Sequence, residues 1–93
     1  MTDMKVFHGV TPAVFACVKT TSEQQHGTKY VPADANKGTA TTETTMYKVE
    51  LGFDFDPASG DLTYTLIYKS WIVPISSVWS GIGDTINSCR KPT

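Results

Sequence analysis

The stretch from Tyr47 to Lys69 constrains the fold of this chain more than any other. Val49, Leu51, Phe53 and Phe55 alternate with Lys48, Glu50, Gly52, Asp54 and Asp56. That is the period of a strand with one apolar face and one wet face. Leu62, Tyr64, Leu66 and Tyr68 alternate in the same way with Thr63, Thr65, Ile67 and Lys69. Between the two runs lies Pro57-Ala58-Ser59-Gly60, with proline to start a turn and glycine to accept positive φ. If Asp56 stands opposite Asp61, then Phe55 meets Leu62, Phe53 meets Tyr64, Leu51 meets Leu66 and Val49 meets Tyr68. Four large pairs then share one face, which predicts an antiparallel hairpin whose register only a bulge would alter.

The C-terminal segment changes period. Ile75, Val78, Trp79, Ile82, Ile86 and Cys89 fall on a single helical face, after Pro74 and with Ser76 or Ser77 available as cap. Gly81 and Gly83 each cost about 1 kcal/mol against alanine in a helix interior, so they imply a close approach or a kink. An amphipathic helix needs a surface to cover, and the apolar face of the hairpin supplies one.

Ahead of the hairpin the pattern is weaker. Ala13 to Thr21 is expected to be a strand, because Val14, Phe15, Val18, Thr20 and Thr21 are β-branched or aromatic. Thr11-Pro12 would also suit a helix start, but no Glu or Gln completes a capping box. Met4 to His8 suits a short additional strand. From about 22 to 45 no period is sustained, and the stretch is expected to be a long polar loop, a feature that in compact domains is usually functional or disordered. The fold expected is therefore α+β: an antiparallel sheet of three to four strands with one C-terminal amphipathic helix packed on its apolar face. Its expected core is Phe15, Val49, Leu51, Phe53, Phe55, Leu62, Tyr64, Leu66, Val78, Trp79, Ile82 and Ile86.

A chain of 93 residues is expected to form one domain spanning 1–93. Eight Lys plus Arg against nine Asp plus Glu give a net charge of -1. The lysines are scattered, which argues against nucleic acid as a partner, since phosphate recognition needs clustered cations. No apolar run approaches the ~20 residues that span a bilayer. His8, Gly9, Thr11 and Pro12 interrupt the stretch after Lys5, so it makes a poor secretory leader. These features favour a soluble protein, with the cytoplasm preferred to secretion or the periplasm.

Cys17 and Cys89 are expected to be free buried thiols. The alternative is a single bridge between them, which would imply an oxidising compartment. With His8 and His26 they offer zinc ligand types, but without the spacing of a structural site. Asp54, Asp56 and Asp61 crowd the hairpin turn, yet an EF-hand starting at Asp54 would need glycine at Ser59 and glutamate at Thr65. No nucleophile elbow, phosphate loop or H-E-x-x-H occurs. No metal, cofactor or catalytic residue is expected.

The function expected is a small non-enzymatic module that binds a protein or peptide through the 22–45 segment or an exposed sheet edge. His26, Lys29, Tyr30, Asp34 and Lys37 are the candidate binding residues. A secreted or periplasmic domain with a Cys17–Cys89 disulfide, and a small enzyme using His26, are the alternatives.

Overall fold

The computed structural model describes residues 3–90. In chain order the elements are β1 (Met4–Phe7), α1 (Pro12–His26), β2 (Lys29–Val31), β3 (Lys37–Glu43), β4 (Lys48–Asp56), β5 (Asp61–Lys69) and α2 (Ile75–Arg90). The strands form one antiparallel sheet in the order β1-β5-β4-β3-β2. The class is α+β, but the sheet has five strands rather than three or four, and there are two helices.

The central hairpin keeps the register its alternation dictates for most of its length. Asp56 faces Asp61, Phe55 faces Leu62, Phe53 faces Tyr64 and Leu51 faces Leu66. A bulge then shifts the pairing between Glu50 and Leu51, so that Val49 stands opposite Lys69 and Glu50 opposite Tyr68. Ile67 and Tyr68 are consequently both exposed. A bulge bends its strand and increases local twist. This one lies toward the end of the hairpin remote from the 57–60 turn.

Residues 13–21 are helix, not strand. Thr11 is the N-cap, its side chain accepting the Val14 N–H at 3.1 Å, and Pro12 opens the first turn with its fixed φ. Gly27 closes the helix in the left-handed conformation at φ 70, where its N–H reaches the Glu23 carbonyl. Between these stops Phe15, Val18 and Ser22 are buried at offsets 0, 3 and 7. Helical packing and capping thus outweigh the extended preference of the β-branched residues, a difference that spans only a few tenths of a kcal/mol per residue.

Residues 22–45 are likewise not a loop. They hold the end of α1, all of β2 and all of β3. Gly38 lets the two strands approach: a Cβ there would collide with the Val31 carbonyl and lie 2.9 Å from the Pro32 ring. Along β3, Gly38, Ala40 and Thr42 alternate with Thr39 and Thr41, which is a strand pattern drawn in small residues.

The core joins helices and sheet. The Phe15 ring lies 4.8 Å from Phe55, 5.7 Å from Phe53 and 6.2 Å from Tyr30, centroid to centroid. Val10, Val18, Tyr30 and Ala40 join the expected core as buried members. Ile86 of α2 belongs to the same cluster, while Leu66, Val78, Trp79 and Ile82 pack against it only partly buried. Cys17 of α1 and Cys89 of α2 form a disulfide, with Cα atoms 5.8 Å apart, in place of the expected free thiols. No helix among the described residues is long and apolar enough to cross a membrane.

Candidate functional site

The inward-facing side chains are graded in size from one end of the domain to the other. Along β4 they run Phe55, Phe53, Leu51, Val49, away from the 57–60 turn. Along α1 they run Phe15, Val18, Ser22. The large residues meet at the turn end and fill it. At the other end the facing positions are Ala40 and Thr42 of β3, Ser22 of α1, and Ser77 and Gly81 of α2. Small residues on every wall cannot close the gap between backbones that the aromatic end holds apart.

What remains is a cavity of about 430 Å³. Val49, Leu51, Val78 and Ile82 give it apolar walls, with Ile72, Val73 and Pro74 of the β5–α2 connection at one side. Its exposed lining residues, among them His26, Ile72, Pro74 and Ser77, mark where it opens to solvent. The volume is within the ~300–1,000 Å³ of small-molecule pockets, and an apolar lining with a few convergent polar groups is their usual composition.

Apart from the His26 imidazole, those polar groups are hydroxyls, and most have partners. Thr28 and Thr42 share a hydrogen bond at 2.5 Å, and Thr85 donates to the Gly81 carbonyl at 3.0 Å. Deeper in the site, the Tyr30 and Tyr64 hydroxyls are 2.7 Å apart. Burial pushes both phenols above the ordinary tyrosine value. For Tyr64 the neighbouring Tyr30 adds to the rise, whereas for Tyr30 the hydrogen bonds with Tyr64 and Ser22 work against it.

This has a consequence at alkaline pH. A phenol whose pKa is raised by folding keeps its proton in the native state while the unfolded chain loses it. The stability it supports is complete below the unfolded tyrosine pKa of about 10, and is lost as pH rises toward the higher native value. Stability to urea should therefore fall with pH above about 10, and the fall should be shallower in Tyr30→Phe/Tyr64→Phe. An equally steep fall in that variant would mean the pair is not what titrates.

The residues singled out from sequence do not converge. His26 and Tyr30 line the cavity, His26 at its exposed opening and Tyr30 buried. Lys29 is exposed on β2, Asp34 is exposed in the β2–β3 connection, and Lys37 is exposed 3.8 Å from Asp54. No protein-family model, curated protein or solved structure matches the chain.

The acidic cluster at the hairpin turn is taken up locally. Asp56 accepts the Ala58 N–H at 3.0 Å, Asp61 pairs with His8 at 2.7 Å, and Asp54 lies near Lys37. No group of metal-ligating side chains is gathered among the described residues. Sequence reasoning passed over Ala40 and Thr42, because β3 was not assigned, and read Ser77 and Gly81 only as features of the C-terminal helix.

Proposed function

We propose that this domain is a non-enzymatic binding module for a small, mainly apolar organic molecule held between the sheet and α2. The observation that carries this reading is the graded core, which fills one end with aromatics and leaves an apolar-walled cavity of about 430 Å³ at the other. In this reading α2 packs over the apolar face of the sheet as a cover, anchored by Ile86 and by the bridge to α1. The phenols on the wall hold their protons more tightly than free tyrosine, which disfavours them for proton transfer near pH 7.

Gly81 gives a direct test. Gly81 is an exposed lining residue whose Cβ would meet nothing within 4 Å, so a larger side chain can be placed at the cavity wall without a clash. Replacing glycine inside a helix also removes a penalty of about 1 kcal/mol. Gly81→Leu should keep or gain stability while losing at least about tenfold in affinity for N-phenyl-1-naphthylamine, a neutral apolar fluorophore. Equal binding by both proteins would place the fluorophore elsewhere and defeat the proposal.

The disulfide supports an oxidising compartment, secreted or periplasmic, over the cytoplasm favoured by composition. Native material should carry no alkylatable thiol before reduction; reactive Cys17 and Cys89 in such material would return the protein to a reducing compartment.

A second reading, a protein or peptide partner added at a sheet edge, is supported by β2. This three-residue edge strand leaves Val31 60% exposed. On that reading Val31→Lys abolishes partner binding without unfolding the domain, and a partner retained by the variant rules the edge out.

A further inference from the structure

We infer that the ligand is a neutral molecule with a hydrogen-bond acceptor, a carbonyl or hydroxyl oxygen, set against the Tyr30–Tyr64 hydroxyl pair. The inference rests on the proposed binding function and narrows its ligand class. Tyr64 is fully buried and Tyr30 nearly so, and both face the cavity. Their hydroxyls share one hydrogen bond, and the Ser22 hydroxyl lies beside them on the same wall. Hydroxyls linked in a line always use one hydrogen fewer than they own. With the two phenols alone or with Ser22 included, one O–H hydrogen finds no acceptor within the line, and all three residues line the cavity. A buried donor is best met by an acceptor, since leaving it unpaired costs more than the net gain of an ordinary hydrogen bond.

The same wall selects against charge. Among the described residues the cavity lining contains no Lys, Arg, Asp or Glu, and its single histidine, His26, stands at the exposed opening. A carboxylate or ammonium carried inside would lose its hydration with no opposite charge to meet it. An apolar ligand without any acceptor would enter, but would leave the phenol donor unanswered.

Four probes on one skeleton separate these cases: 2-acetylnaphthalene, 2-ethylnaphthalene, 2-naphthoate and 2-naphthylmethylamine at pH 7, each competing with N-phenyl-1-naphthylamine. The ketone should bind about threefold to tenfold more tightly than the hydrocarbon. The two ions should bind on the order of 100-fold more weakly than the ketone. In Tyr30→Phe/Tyr64→Phe, a change of two partners to apolar isosteres that should leave the fold nearly unaffected, the preference for the ketone should vanish while the hydrocarbon still binds. Equal binding of ketone and hydrocarbon by the unaltered protein would overturn the acceptor inference and leave the cavity function standing. Tightest binding of either ion would also overturn it. Binding of no probe at all would overturn the proposed function itself.

Discussion

Phe15→Ala should lower the stability of the domain by about 3–5 kcal/mol, the largest effect expected of any single substitution. Phe15 is 2% exposed and its ring touches Tyr30, Phe53 and Phe55, three inward residues on two strands. The Lys19 ammonium lies 4.6 Å from the same ring centroid, so the truncation removes a cation–π contact as well. Because Phe15 stands on α1, its loss detaches helix from sheet rather than opening an isolated void. Domains of this size are stable by only about 5–15 kcal/mol, so the variant should be partly unfolded near its working temperature. Urea unfolding followed by tryptophan fluorescence measures the change. A loss below about 1 kcal/mol would mean that α1 does not dock through this residue.

The second large effect is expected from Cys17→Ser/Cys89→Ser. The bridge closes a loop with a sequence separation of 72 and ties the middle of α1 to the end of α2. Constraining a loop of that length should contribute about 4 kcal/mol through the unfolded chain, within a measured range of 2–5 kcal/mol for native bridges. Thr21 lies 3.7 Å from the Cys89 sulfur, so the serine pair would retain a polar neighbour without regaining the crosslink. The melting temperature of the double variant should fall by more than about 10 °C. A melting curve matching that of the unaltered protein would show that the two helices hold together without the bridge.

The central hairpin was legible because its inward residues are large and alternating: three of the four large pairs, Phe55–Leu62, Phe53–Tyr64 and Leu51–Leu66, stand in the expected register, as does Asp56–Asp61. The bulge was less legible. Ile67, an apolar residue at an outward position and the one skipped where the pairing shifts, is the single break in the alternation that marks it. Helix α1 had its stop signals in plain view, Thr11-Pro12 at one end and Gly27 at the other. They were outweighed by local β propensity, because the burial of Phe15 and Val18 on one helical face is a tertiary fact.

Strand β3 was missed for a reason that bears on function. A strand announces itself by large apolar residues at alternate positions, and in β3 those positions hold Gly38, Ala40 and Thr42. The smallness that hid the strand is also what leaves room for the cavity. Of the candidate binding residues, Tyr30 and His26 reach the site because β2 and the end of α1 border it, whereas Lys29, Asp34 and Lys37 face solvent. The disulfide depends on Cys17 lying on a helix beside α2, a placement that the spacing of the two cysteines does not carry.

Two large apolar side chains stand exposed next in sequence to the cavity-lining residues Tyr47 and Ile72. Trp71 is 89% exposed and Met46 77%, on the two connections that meet where the Lys48 N–H donates to Ser70 at 2.9 Å. An apolar probe therefore has two places to go: into the cavity, or onto this outer surface. Intermolecular nuclear Overhauser contacts between 2-acetylnaphthalene and the methyl groups of the protein distinguish them most directly. Contacts from the naphthalene protons to Val49, Leu51, Val78 and Ile82 are the predicted result. Contacts confined to Met46 or Ile67, with the inward methyls untouched, would contradict a binding function seated in the cavity.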